Sequence, residues 1–314
     1  MLVSRVSSST FDVFNTFYEC KVPPVLTIES KDGDYSLLHE LPERGFAIVG
    51  TRYPQHRSLA LLDEAFQDLK SSKLIIISGF ARGIDARAHE LAVTSGLRTI
   101  AILGCGIDVT YPKENQKLRT QILQSGGLIL TQFENGAKPL AYHFHERNSL
   151  IAGLSKATWV VEAAEVSGTL NTATWAMKLN RDVYATSCFP KDHYYQGNVK
   201  LLNQRQPERF PFAHAYFHVD SLSATWPELA HEGLKKQMAL SLPIKPRSKI
   251  QHWVLELLSL SGECHVQTLL NHASNHGITP GQFYKLYETE IDSGSLVQDR
   301  QGRVVFAFTQ QSEI

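Results

Sequence analysis

Residues 46–79 read FAIVGTRYPQHRSLALLDEAFQDLKSSKLIIISG, and this stretch decides the fold. The runs FAIVG and LIIISG are short, apolar and rich in β-branched residues, as expected of strands that are buried on both faces. Between them, the apolar residues of Ser58–Lys70 recur at the spacing of an amphipathic helix. Strand, helix and strand in this order predict a parallel β-α-β unit.

The same alternation continues along the middle of the chain. Further strands are predicted at Thr99–Gly104, Leu128–Thr131, Thr158–Ala163 and Asp182–Thr186, and a helix at Asp85–Gly96. The predicted fold class is therefore α/β, with a doubly wound, mainly parallel sheet covered by helices on both faces.

The composition divides the chain into four segments. Residues 1–44 show no clear period and have no assigned role, whereas residues 45–240 carry the strand–helix alternation. Residues 241–249, SLPIKPRSK, have the proline and basic content of a linker. In residues 250–314, three short helices (Ile250–Ser259, His265–Ala273 and Pro280–Asp292) precede a hairpin at Gly294–Phe308 that turns at Gln301-Gly302, which predicts a small winged-helix-like domain.

Composition and charge exclude several classes of protein. The 314 residues are 43% hydrophobic and 20% charged, which is typical of a globular protein. The four cysteines form no C-x-x-C pair, and we find no secretion signal and no apolar run of the roughly 20 residues that a membrane span needs. We therefore expect a cytoplasmic protein without a metal site. The 31 basic and 31 acidic residues cancel, but residues 45–244 hold 21 basic against 17 acidic residues.

The loops that follow the strands point to anion binding, because ligands of doubly wound sheets bind beyond the carboxyl ends of the strands. These loops are rich in glycine, and their helix N-termini present free amide groups to a phosphate. Arg52, Arg82 and Arg147 add guanidinium groups suited to phosphate oxygens. The sequence has no G-x-x-x-x-G-K-[ST] motif, and Val109 stands where a dinucleotide fingerprint would need its third glycine, which argues against P-loop and NAD sites.

Three ionisable residues near these loops have a structural and a catalytic interpretation. We favour helix capping for Asp85, although His89 lies four residues later and the two could act as an acid–base pair. Glu162 ends a predicted strand, where a carboxylate commonly accepts helix amides or orients an arginine. Its alternative role is that of a general base. We expect Asp85, His89 and Glu162 to be structural or orienting residues.

A series of motifs in order then identifies a family. It comprises GTR at 50–52, SGFARGIDARAHE at 78–90, TIAILGCGIDVTYPKEN at 99–115, FHERNSLIAGLS at 144–155 and VVEAAEVSGTLNTA at 160–173. Together they resemble the DNA-processing protein A family (DprA, also called Smf), the single-strand DNA-binding proteins of natural transformation. The resemblance covers about half of the chain. The chain diverges at Ser149, where the family commonly has a second arginine.

The resemblance implies an extended Rossmann-like domain that binds single-stranded DNA, forms a homodimer and hands the strand to the recombinase RecA. It also implies that Arg52 and the Phe144–Asn148 segment contact the DNA backbone. With the loop residues above, the candidate DNA- or phosphate-binding residues are Gly50, Thr51, Arg52, Ser78, Gly79, Arg82, Gly83, Lys113, Asn115, Phe144, Arg147, Asn148, Ser167, Gly168 and Thr169.

The function expected from the sequence is sequence-tolerant binding of single-stranded DNA, with protection of the incoming strand and loading of RecA. We expect no catalysis, no cofactor and no membrane partner. One alternative is a nucleotide-binding enzyme of related fold that hydrolyses nucleoside monophosphates. Another is a binding module whose C-terminal domain contacts a protein.

Overall fold

A nine-stranded sheet forms the centre of the first of two units, Met1–Leu229 and Ala230–Ile314. The computed structural model describes residues 1–10, 23–188, 192–203, 213–216, 221–222, 225–226, 229, 250, 253–254, 266–276, 278–292, 296–298 and 304–306. The strands of the sheet are β1 Leu2–Ser7, β2 Val25–Ser30, β3 Gly45–Val49, β4 Ile75–Ser78, β5 Arg98–Ile102, β6 Leu128–Thr131, β7 Ala157–Val160, β8 Asp182–Thr186 and β9 His214–Tyr216.

The order of the strands is β1-β2-β6-β5-β4-β3-β7-β8-β9. All neighbours from β6 to β9 are parallel, whereas β2 pairs antiparallel with both β1 and β6. The chain therefore winds outward from β3 in one direction through β4, β5 and β6. It then returns to the other side of β3 and continues through β7, β8 and β9. This confirms the predicted α/β class with a doubly wound, mainly parallel sheet.

Helices follow most of the parallel strands and cover the two faces of the sheet. They are α1 Leu41–Arg44, α2 His56–Leu69, α3 Ile84–Thr94, α4 Gln116–Gln124, α5 Ala141–Gly153, α6 Gly168–Lys178 and α7 Gln196–Asn203. Alternate residues of β3 enter different cores: Phe46 and Ile48 pack in one cluster, and Ala47 and Val49 in another. Both faces of β3 are thus apolar, which explains why its sequence shows no polar alternation.

Two strands form where the sequence shows no clear period. β1 pairs with β2 over its full length, from Leu2 opposite Ser30 to Ser7 opposite Val25, and β2 continues the sheet beyond β6. Most of β1 is exposed, and Leu2 and Val3 each keep 54% of their surface accessible. An exposed edge strand needs no apolar face of its own. Its sequence therefore lacks the apolar periodicity from which a strand is predicted.

The second unit contains two helices and a hairpin among its described residues. They are α8 Val266–Asn275, α9 Pro280–Asp292, β10 Leu296–Gln298 and β11 Val304–Phe306, with β10 and β11 antiparallel. The predicted helices at His265–Ala273 and Pro280–Asp292 and the predicted hairpin are confirmed. Most of the predicted helix at Ile250–Ser259, the turn at Gln301-Gly302 and the linker 241–249 lie outside the described residues, and the winged-helix topology stays a prediction. Within the described ranges, no helix is long and apolar enough to cross a membrane.

Candidate functional site

A cleft of about 420 Å³ opens where β3 and β7 end. These neighbouring strands flank the point at which the winding of the sheet reverses, which is where doubly wound sheets bind their ligands. The residues that line this cleft are Val49, Gly50, Thr51, Arg52, Tyr53, Ala81, Asp85, Ala141, Phe144, His145, Arg147, Asn148, Ile151, Val166, Ser167, Gly168, Thr169 and Thr172. Eight predicted site residues are thus brought together: Gly50, Thr51, Arg52, Phe144, Asn148, Ser167, Gly168 and Thr169, with Arg147 beneath them.

Close packing shapes the loop after β3. A Cβ atom at Gly50 would lie 2.6 Å from Cγ1 of Ile84 on α3, so only glycine fits there. The amide of Thr51 donates to the carbonyl of Glu162 at 2.9 Å, and the carbonyl of Thr51 accepts from the amide of Ile84 at 3.1 Å. These bonds tie the loop to the end of β7 and to the start of α3, and they fix the position from which Arg52 projects.

The N-terminus of α6 forms one wall of the cleft. Ser167 caps the helix, and its hydroxyl accepts a hydrogen bond from the amide of Thr169 at 3.2 Å. The side-chain amide of Asn148 donates to the carbonyl of Gly168 at 3.2 Å and joins α5 to this turn. The first turn of an 11-residue helix carries a partial positive charge, so this wall favours an anion.

Arg52 supplies the exposed positive charge of the cleft. Its guanidinium lies 5.7 Å from the centre of the Phe144 ring, close enough for a cation–π contact. Within the described part of the chain, no carboxylate forms an ion pair with Arg52. Its charge is therefore available to a ligand.

Arg147, in contrast, lies beneath the floor of the cleft and is 4% exposed. Its Nη1 donates to the carbonyls of Gly79 and Ile102, and the carboxylate of Asp85 provides the neighbouring negative charge. Burial lowers the pKa of Arg147 to about 10, an effect that Asp85 opposes. Burial also raises the pKa of Asp85, and Arg147 opposes that change. The structure gives Arg147 an internal bridging role, and direct contact with a phosphate stays a prediction.

Asp85 does not take the N-cap position that the sequence suggested. Gly83 occupies that position with φ at +77°, a conformation that favours glycine, and Asp85 lies two residues further into the helix. The Asp85 carboxylate accepts a hydrogen bond from the amide of Ala81 at 3.4 Å. Asp85 thus orders the loop before α3 from inside the first turn, which agrees with an orienting role.

Phe144 separates the cleft from a smaller depression beside it. This rim depression is lined by Arg52, Gly79, Phe80, Ala81, Arg82, Gly104, Tyr111, Pro112 and Phe144. The ring of Phe144 lies 5.7 Å from that of Tyr111, and a Cβ atom at Gly104 would come within 2.7 Å of it. Gly104 therefore leaves the space that the Phe144 ring needs, and the ring lines both the cleft and the shallow depression.

Three other candidate residues have mainly internal contacts. The Ser78 hydroxyl is fully buried and donates to the carbonyl of Ile48 at 2.6 Å. Asn115 donates to the carbonyl of Phe80 at 2.9 Å, and Phe80 itself has a left-handed backbone with φ of 59°. Gly79 approaches the Arg147 guanidinium so closely that a Cβ atom would lie 2.6 Å from Nη1. These residues shape the loop after β4, and their contact with a ligand stays a prediction.

Arg82, which lines the rim depression, and Lys113, which does not, are both exposed. Arg82 donates Nη2 to Oε1 of Glu114, and side-chain exposures of 50% for Arg82 and 59% for Glu114 leave the pair open to solvent. Arg82 is therefore accessible but already paired.

Glu162 lies next to the cleft but does not line it. Its carboxylate is 2% exposed and accepts hydrogen bonds from the amide of Gln55 at 2.8 Å and from the hydroxyl of Ser58 at 2.6 Å. Ser58 also shares a hydrogen bond with the hydroxyl of Tyr195. Glu162 thus places a carboxylate at the N-terminus of α2, and its structural role stays a prediction.

His89 is fully buried and bonds to Thr99 instead of to Asp85. The Thr99 hydroxyl donates to the carbonyl of Ile76 at 2.8 Å, so it must accept from Nδ1 of His89, 2.7 Å away. Burial lowers the pKa of His89 from 6.5 to about 3. The imidazole is therefore neutral near neutral pH, and this geometry does not support an Asp85–His89 acid–base pair.

The pKa of His89 predicts a pH dependence of stability. Between pH 6.5 and about 3 the unfolded chain binds a proton at His89 that the folded chain does not, so acid favours unfolding. We expect this residue to lower the free energy of unfolding by about 1 kcal/mol for each pH unit below 6.5.

Urea unfolding of the parent and of His89→Gln between pH 7 and pH 5 measures this contribution. The difference in unfolding free energy between the two proteins should shrink as the pH falls. Parallel pH profiles for the two proteins would contradict the assignment of a depressed pKa to His89.

Sequence reasoning missed two exposed side chains of the cleft. Tyr53 is 77% exposed and Val166 is 95% exposed, and both line it. Tyr53 follows Arg52 directly in the sequence. An aromatic residue next to a loop arginine could therefore have indicated that Tyr53 belongs to the site. Nothing comparable marks Val166. Within the described ranges, no cluster of three or more His, Cys, Asp or Glu side chains is placed to hold a metal ion.

Comparison with known proteins shows the family to which the chain belongs. The family model described as DNA recombination-mediator protein A matches residues 16–209. The chain belongs to this family. It is 40% identical over 181 residues to the protein Smf of Synechocystis, covering 58% of this chain and 45% of that protein. It is 41% identical over 167 residues to the DNA processing protein DprA of Streptococcus pneumoniae, covering 51% of this chain and 58% of that protein. The chain thus spans about half the length of the curated relatives it matches.

Two solved structures of the family share this fold. DprA from Streptococcus pneumoniae is 31% identical with a TM-score of 0.60, and the match covers 70% of this chain and 73% of that one. DNA processing protein A from Helicobacter pylori is 26% identical with a TM-score of 0.62, covering 74% of this chain and 98% of that one. The Helicobacter pylori structure is described as giving insight into a single-stranded DNA binding mode.

Proposed function

We propose that the chain binds single-stranded DNA in the cleft between the ends of β3 and β7. The observation that carries this proposal is the exposed Arg52, which has no ion-pair partner among the described residues and lines the same cleft as the N-terminus of α6. A guanidinium and a helix N-terminus are both phosphate-binding groups, and here both can contact the same ligand. Membership of the DNA recombination-mediator protein A family supports the same ligand.

The phosphates of the strand contact Arg52 and the amide groups of the Ser167–Thr169 turn. The exposed Tyr53 and the half-buried Phe144 line the same cleft as Arg52 and offer rings to unpaired bases. Aromatic rings stack on any base, and phosphates carry no sequence information, so binding is tolerant of sequence. Paired bases cannot present their faces in this way, which favours single strands over duplex.

The geometry favours binding over hydrolysis of a nucleotide. A hydrolase would use Glu162 as its general base, yet this carboxylate accepts hydrogen bonds from Gln55 and Ser58 and does not line the cleft. Its position suits a helix cap better than contact with a substrate.

A wider role follows from the family resemblance. We propose that the protein acts in the cytoplasm as a homodimer, protects the incoming strand and loads the recombinase RecA during natural transformation or recombination. In this scheme residues 45–240 bind DNA, residues 241–249 link the domains, and the winged-helix-like residues 250–314 contact a protein partner. The acidic balance of residues 250–314, with 3 basic and 7 acidic residues, supports a protein contact over DNA binding.

A titration with oligonucleotides tests the proposed ligand. Fluorescence anisotropy with single-stranded and double-stranded oligonucleotides of equal length, at several salt concentrations, should give affinity for the single strand about tenfold higher or more, because stacking stabilises each base by about 1–3 kcal/mol. The affinity should fall steeply with salt, because phosphate contacts release counterions. Equal binding of both forms, or binding independent of salt, would contradict the proposal.

A further inference from the structure

The arginines of the rim depression differ in their partners. Arg52 and Arg82 both line this depression, and Arg52 also lines the main cleft. Arg52 has no ion-pair partner in the described part of the chain, whereas Arg82 donates to the carboxylate of Glu114. The side chains of Arg82 and Glu114 are 50% and 59% exposed. The pair can therefore open without disturbing the core.

The Arg82–Glu114 ion pair resembles the contact that a DNA phosphate would make. A phosphate binds an arginine best through two N–H groups of its fork, and one nitrogen of the Arg82 fork, Nη2, already donates to Glu114, so the two anions compete for it. An exposed ion pair of this kind is weak, because water and salt screen it. A phosphate that reaches Arg82 can thus displace Glu114. The net binding free energy of this contact is smaller than at an unpaired arginine, because the ion pair must first be broken.

We infer that Glu114 competes with the DNA backbone for Arg82 and limits the affinity of the site. This inference rests on the proposed function, since the competing ligand is the phosphate of the bound strand. Arg52 binds phosphate whenever a strand is present, whereas Arg82 does so only when Glu114 is displaced. The rim depression thus extends the cleft into a second phosphate site that a carboxylate of the same chain occupies when DNA is absent.

Two facts favour Glu114 as a built-in competitor over a purely structural residue. Its side chain is mostly solvent-exposed and joins two surface segments, the loop after β4 and the turn before α4, whose positions other bonds already fix. The buried Asn115 side chain, next in the chain, ties that turn to the carbonyl of Phe80 at 2.9 Å. The fold therefore does not depend on the Arg82–Glu114 pair.

The substitution Glu114→Gln tests this inference on the full chain with a fluorescent oligothymidylate. Removing the carboxylate should raise the affinity about two- to fivefold, the factor that corresponds to an exposed ion pair. Glu90→Gln is the matched control, because Glu90 also forms an exposed pair, with Arg87 at 3.4 Å, and neither residue lines the cleft or the depression. This control should leave the affinity within about twofold of the parent.

A double-mutant cycle separates competition for Arg82 from general charge repulsion. In the Arg82→Ala background, Glu114→Gln should not raise the affinity for the oligonucleotide, because the arginine that Glu114 pairs with is absent. A gain that persists in this background, or no gain in the parent background, would overturn the inference while leaving the proposed function intact. A parent protein that fails to bind the oligonucleotide at all would overturn the proposed function itself.

Discussion

Replacing Arg52 with glutamate is expected to lower the affinity for single-stranded DNA by roughly ten- to a hundredfold. The substitution removes a charged hydrogen bond to phosphate, which contributes about 1.5–3 kcal/mol, and places a negative charge beside the strand. The fold should be unchanged, because Arg52 is exposed and has no ion-pair partner among the described residues. Fluorescence anisotropy with a labelled oligonucleotide measures the affinity, and thermal unfolding checks the fold.

Lys73→Glu provides the control for the change in net charge. Lys73 is exposed and lies just before β4, at the amino end of the parallel sheet and opposite the end that bears the cleft. This variant should bind DNA within about twofold of the parent, because its charge lies more than a Debye length of roughly 10 Å from the site. Equal affinities of Arg52→Glu and the parent would show that Arg52 is not part of the binding site.

Replacing Arg147 with methionine is expected to destabilise the fold by about 3–5 kcal/mol at neutral pH. This change removes the positive charge beside the buried Asp85 and leaves the carbonyls of Gly79 and Ile102 without a donor. Urea unfolding followed by far-ultraviolet circular dichroism measures the loss. Arg52→Met is the matched control and should change the stability by no more than about 0.5 kcal/mol, because Arg52 is exposed.

The loss caused by Arg147→Met should shrink in acid. Burial already raises the pKa of Asp85, and without Arg147 that pKa rises further, so the carboxyl group becomes neutral as the pH falls. A neutral carboxyl group needs no positive partner. A loss that stays constant between pH 8 and pH 5 would contradict the role of Arg147 as the partner of Asp85, and a variant as stable as the parent would contradict its structural role altogether.

The fold could be predicted from the sequence because its centre consists of strands that are buried on both faces. β3, Ile75–Ile77 of β4 and Ile100–Ile102 of β5 are apolar and buried, so their runs stand out, and the helices between them show clear apolar stripes. β1 and β2 could not be predicted in the same way. β1 lies at the antiparallel edge of the sheet, where an exposed strand has no apolar pattern to reveal it. β2 is mostly buried, but Thr27 interrupts its apolar run after only two residues.

The position of the cleft could be predicted from the sequence. The different roles of its two arginines, one exposed and one buried, could not. Parallel strands bring their carboxyl ends to one edge, so the loops containing Arg52, Phe144 and Ser167 were expected to meet. The sequence predicted both Arg52 and Arg147 in such loops, ahead of a helix, and no residue type distinguishes them there; the structure places Arg147 inside α5. Arg52 projects from a loop into solvent, whereas Arg147 lies on the inner face of α5 above the glycine-lined end of β4.

A crystal structure of the full chain with a short oligothymidylate tests the proposed DNA site most directly. We expect a DNA phosphate within hydrogen-bonding distance of the Arg52 guanidinium and of the amide groups of the Ser167–Thr169 turn. Oligothymidylate bound to another surface, with this cleft unoccupied and Arg52 remote from any phosphate, would contradict it.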